Sequence, residues 1–66
     1  MYNISEAVRN EIIRVRDMIK ETKELFPDAN VNFKLSEIIL DEADKALKER
    51  DAVALIRLFP VLQKMD

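Results

Sequence analysis

The sequence predicts an all-α protein, a small three-helix antiparallel bundle completed by self-association. Three observations carry that reading. None of the 66 residues is glycine, so the tight Asn-Gly or Asp-Gly hairpins that join short strands are absent. Ala, Leu, Glu, Lys, Arg and Met, the strong helix formers, are abundant. Apolar residues recur at steps of three and four along most of the chain, which is the helical period.

The first helix is predicted over about residues 4–26. Asn3 caps it, and Glu6 sits three residues on, as in a capping box. Ile4, Val8, Ile12, Val15, Ile19 and Phe26 form its stripe, with Thr22 in the gap. With Ala7, Met18 and Leu25 the stripe spans about 140° of the helix wheel. Two residues break the pattern: Ile13 falls on the polar side and Glu11 falls inside the apolar arc. Pro27 ends the helix, because a residue before proline is pushed out of the α region.

Residues 27–35 are predicted to be a loop. Pro27-Asp28 is a turn signal. Ala29, Val31, Phe33 and Leu35 alternate with Asn30, Asn32 and Lys34. With no second strand to pair with, this reads as an extended connection whose apolar side chains tuck onto the helices. The second helix is predicted over about 35–50, capped by Asn32 or Ser36. Its apolar face holds Phe33, Ile39, Leu40, Ala43, Ala46 and Leu47, with Leu35 at the edge and Ile38 outside. Asp41/Lys45 and Asp44/Lys48 are i,i+4 pairs of the favourable polarity.

At Lys48-Glu49-Arg50-Asp51 the apolar pattern is interrupted. Arg50 suits a helix C-terminus and Asp51 the N-cap of the next helix. A tight joint is therefore expected, in place of one helix from Ser36 to Phe59. The third helix, about 51–65, is the most apolar. Ala54, Leu55, Ile56, Leu58, Phe59, Val61, Leu62 and Met65 cover about 220° of its wheel. Pro60 lacks an N–H and is expected to kink or restart it. The three helices form one domain over residues 1–66, with the third central.

Composition bounds the chemistry. There is no histidine and no cysteine, which removes imidazole bases, thiolate nucleophiles and zinc sites built from either. The absence of glycine removes phosphate-cradling loops and nucleophile elbows in their standard form. Asp28, Asn30 and Asn32 have the spacing that opens an EF-hand loop, but Phe33 stands where the turn glycine belongs and Ile39 where the bidentate glutamate belongs. No cofactor, metal or small-molecule substrate is expected, and no enzymatic activity.

Net charge is −2, with no strongly basic segment of the kind that binds nucleic acid. Arg9, Arg14, Arg16, Lys20 and Lys23 are interleaved with five acidic residues on helix 1, and Glu37, Asp41 and Asp44 share one side of helix 2. Both sets read as solvated faces laced with ion pairs. Glu11 is expected to pair with Arg14 at a packing seam. No apolar run approaches the 18–20 residues of a membrane span, and residues 1–6 lack the pattern of a signal peptide, so a cytoplasmic location is expected.

The surplus apolar residues are the strongest functional pointer. A chain of this length has a small interior, and two neighbouring helices do not cover a 220° arc. Ile13, Ile38, Val53, Ile56 and Phe59 are the expected interface. The partner is a second copy, a dimer being favoured, or another protein. The competing reading is a small DNA-binding regulator or antitoxin-like protein using the basic residues of helix 1.

Overall fold

A computed structural model describes residues 3–28 and 33–65. It contains three helices: α1 (Ile4–Leu25), α2 (Lys34–Glu49) and α3 (Ala52–Gln63). Each boundary lies within two residues of the predicted one. Asn3 has extended backbone, and its side chain accepts from the N–H groups of Ser5 and Glu6, at 3.0 and 3.3 Å. Two of the four donors that a helix start leaves unpaired are satisfied in this way. At the other end the Phe26 N–H closes the last turn on the Thr22 carbonyl, and Pro27 stops the helix. Thr22 tolerates its half-buried position because its hydroxyl donates to the Met18 carbonyl at 2.8 Å.

The start of α2 differs from expectation. Phe33 occupies the cap position with no side-chain hydrogen bond, and Ser36 lies inside the first turn. Asn32, the other expected cap, lies outside the described residues, as do Ala29 and Val31 of the alternating stretch. The reason is tertiary. Phe33 packs against the core, and that anchor sets where the helix begins. Leu35, expected to tuck inward, is an exposed helical residue.

The joint between α2 and α3 forms as expected. Arg50 takes the left-handed conformation, φ 55° and ψ 40°. The Asp51 N–H bonds the Ala46 carbonyl at 2.9 Å and the Arg50 N–H bonds the Leu47 carbonyl at 3.3 Å. This is a Schellman ending, in which the left-handed residue is usually glycine. Asp51 then caps α3, accepting from the Ala54 N–H at 3.2 Å. The helix runs through Pro60 to Gln63 without restarting. Proline leaves the Ile56 carbonyl without its usual donor, and Ile56 and Pro60 both lie at the surface, where water can replace it.

The core is Val8, Ile12, Val15 and Ile19 from α1, Leu40, Ala43 and Ala46 from α2, and Leu55 and Leu62 from α3. Ile4, Met18, Phe33, Ile39, Leu47, Leu58, Phe59 and Met65 pack around it. Complete burial of a large aliphatic side chain contributes about 1.5–3 kcal/mol. Helix α3 makes the larger part of its contact with α1 and packs on α2 as well, while α1 and α2 touch each other least. That is the central position predicted for it.

The lengths of the helices set the shape. At about 1.5 Å per residue, α1 is about 33 Å long and α3 only about 18 Å. The molecule is correspondingly elongated, 41 × 21 × 18 Å. One end of the bundle has three helices around its core. The other has only α1 and α2.

Candidate interaction surface

The five residues singled out in the sequence occupy different settings. Val53 and Ile56 are 61% and 60% exposed and one turn apart on the outer face of α3. Phe59 follows one turn later but is half-buried against the subunit's own core. Ile38 stands out from α2, 46% exposed. Ile13, 53% exposed, lies about 60° around α1 from Arg16 and about 100° from Arg14. Arg16 reaches α2 and Arg14 reaches α3, so Ile13 faces away from α3. Val53 and Ile56 are thus neighbours, with Phe59 at their inner edge, while Ile13 sits alone on α1 and Ile38 has Leu35 one turn before it on α2.

Sequence reasoning missed a second apolar area. Leu25, Phe26 and Leu35 are 64%, 61% and 70% exposed. Leu25 and Phe26 were expected within the buried stripe of α1, and the stripe does continue to them. No third helix extends that far. The signal was available in the mismatch between a predicted 23-residue first helix and a shorter third one.

Lys23 locates this area. It bonds Glu37 across the α1–α2 seam at 3.4 Å and stands 5.7 Å from the centre of the Phe33 ring. Leu25 is two residues after Lys23, and Leu35 two before Glu37. At about 100° per residue, both leucines turn away from the Lys23–Glu37 side. They turn to the same side on which Arg14 meets α3, beyond the end of that helix.

Three basic residues of α1 are engaged within the chain. Arg16 pairs with Asp44 and Lys23 with Glu37, and Lys20 and Asp41 line the same groove between those pairs. The basic side of α1 and the acidic side of α2 therefore face each other along an antiparallel seam. The groove between them, about 420 Å³, has Ile19 and Leu40 at its floor. A second open groove, about 410 Å³, lies between α2 and α3, with Ala46, Ala54 and Leu58 among its lining residues.

Glu11 and Arg14 form the expected ion pair, 2.7 Å from Nε to Oε2. The structure adds its purpose. Arg14 Nη2 donates to the Leu62 carbonyl at 2.8 Å, so the guanidinium caps the C-terminal end of α3. A cation there meets the negative end of the helix dipole and joins the Met65 N–H on a carbonyl of the last turn. Glu11 lies in the apolar arc because it holds that guanidinium in place. Arg14, Arg16 and Lys23 are all turned to groups of their own chain.

Among the described residues no group of three or more carboxylates converges as a metal site would require. Among the same residues no helix is long and apolar enough to cross a membrane. Comparison with protein-family models, with curated proteins and with solved structures finds no match to this chain.

Proposed function

We propose that this chain is a non-enzymatic interaction module that assembles through the outward apolar face of α3. The observation that carries the reading is the pairing of Val53 and Ile56, each about three-fifths exposed and one turn apart on a helix that buries Leu55 and Leu62 on its other side. Contiguous exposed apolar surface on a small protein marks a contact site. Burial of each such side chain contributes up to about 1.5–3 kcal/mol. The alternative, a DNA-binding helix 1, is disfavoured because Arg14, Arg16 and Lys23, three of its five basic residues, are engaged with the chain's own acidic groups and a carbonyl.

The test is absolute mass in solution, by light scattering behind a sizing column across a concentration series. The expected result is a dimer that falls to monomer on Ile56→Glu, while Lys20→Ala keeps the wild-type mass. An Ile56→Glu protein with wild-type mass sinks the α3 seam. A wild-type chain that stays monomeric throughout turns the same surface toward a different protein.

A further inference from the structure

The joint between α2 and α3 holds a backbone conformation that its residue does not favour. Among the described residues Arg50 alone has a positive φ, 55°. The left-handed region is unfavourable for a residue with a Cβ, and the chain has no glycine to take it. From Lys45 to Leu55 there is no proline either, so nothing in this stretch stops a helix from running straight through. Packing does not tie α3 chiefly to α2, since the larger part of its contact is with α1.

The apolar pattern also runs through the joint. Phe33, Leu40, Leu47 and Ala54 lie in the core or pack against it. They fall at every seventh residue, which is two turns of a continuous helix. Carried on at about 100° per residue, the buried side chains of both helices, Leu40, Ala43, Ala46, Leu55 and Leu62, stay within about 180° of one another. A fused helix presents all five on a single face. A hairpin does not require this agreement of phase, because its joint sets the facing of each helix separately.

We propose that Arg50 and Asp51 form a hinge through which two copies of this chain exchange α3. In the exchanged dimer α2 and α3 fuse into one helix from Lys34 to Gln63, about 45 Å long. Helix α3 of each copy takes the place on the other's α1 that it holds on its own α1 in the monomer. Two-fold symmetry makes both exchanges at once. The directions agree: α3 runs parallel to α1 in the monomer, and with the fused helices antiparallel it does so again across the dimer. The contacts of the core and the Arg14 cap on the last turn of α3 are kept, now between copies. Arg50 becomes helical, and N–H groups that the start of α3 leaves unpaired gain carbonyl partners. Short hinges under strain are the setting that invites such an exchange.

The exchange is independent of the outward α3 face proposed above, and it is tested with that face disabled. Exchange requires α3 to leave its place, so the Ile56→Glu chain is unfolded in urea and refolded across a series reaching millimolar concentration. Light scattering then reads the mass, and a dimer that grows with concentration is expected. Arg50→Gly in the same background should raise its dissociation constant at least a hundredfold, because at each of two joints glycine favours the left-handed turn and disfavours the helix. Arg50→Ala, which loses the same side chain but not the backbone preference, should change it less than about fivefold. When isotope-labelled and unlabelled chains are refolded together, α1–α3 methyl contacts in the nuclear Overhauser spectrum should cross between chains, while α1–α2 contacts stay within one. A chain that remains monomeric at every concentration overturns the exchange, and so does a dimer whose α1–α3 contacts stay within one chain. A dimer that forms as readily with Arg50→Gly as without it overturns the joint as the hinge. The outward face is decided separately, by the mass of the wild-type chain that has not been unfolded.

Discussion

At one end of the bundle, Val8, Ile12 and Val15 of α1 are sealed by α3, and a guanidinium from α1 closes the last turn of that helix. At the other end, α1 carries the same apolar period through Leu25 and Phe26, yet both side chains face solvent. The apolar stripe runs through both halves of α1, and they differ in what lies over them. An apolar stripe therefore records surface that benefits from burial. Whether one chain supplies the cover depends on the length of a different helix.

That contrast can be broken or sharpened by substitution, with monomer stability read in the Ile56→Glu background so that association does not contribute. The largest effect is expected at the closed end. Leu55→Ala removes a side chain that is 1% exposed, and urea melts should show a loss of about 2–5 kcal/mol. A loss below about 1 kcal/mol would mean that the closed end is not well packed. Arg14→Ala comes next, since it uncaps α3 and leaves Glu11 without its partner. A loss of about 1–2 kcal/mol is expected, with the largest rise in amide exchange in the last turn of α3. A uniform change across all three helices would argue against the cap.

Arg50→Gly should raise stability, because the left-handed conformation costs an L-residue about 1 kcal/mol that glycine avoids. A gain of about 0.5–1 kcal/mol in the urea midpoint is expected, and a loss would show that the Arg50 side chain matters more than its backbone. The exposed pair Arg16–Asp44 should contribute less than about 1 kcal/mol in a double-mutant cycle and fade with added salt. Last, Leu25→Ala at the open end should change monomer stability by no more than about 0.5 kcal/mol. A cost like that of Leu55→Ala would erase the distinction between the two ends.

Features set by neighbouring residues were legible in the sequence. Asn3, Pro27 and Asp51 bound their helices through local chemistry, and the α2–α3 joint follows from an interrupted pattern. The Glu11–Arg14 pair was legible because its spacing on one helix fixes the reach. What could not be read depends on which helix lies opposite. Ser36 has the chemistry of a cap, but the docking of Phe33 sets the start of α2 three residues earlier. The basic side of α1 and the acidic side of α2 each looked like a solvated face, and only the fold aligns them. Of the surface residues, Val53 and Ile56 were found from the excess width of the α3 arc. Leu25 and Leu35 were hidden because their pattern is that of core residues.

The two-residue joint at Arg50 and Asp51 also bears on how the chain reaches its fold. It lets α2 and α3 meet with almost no loop to close, so this hairpin is the cheapest tertiary unit to form early. The contact of Arg14 with Leu62 spans 48 residues and must wait for α1 to dock. As a small helical bundle, the chain belongs with the microsecond-to-millisecond folders. In such an order of events, slowing by mutation should concentrate around Ala43, Ala46 and Leu55, while changes in α1 should chiefly hasten unfolding.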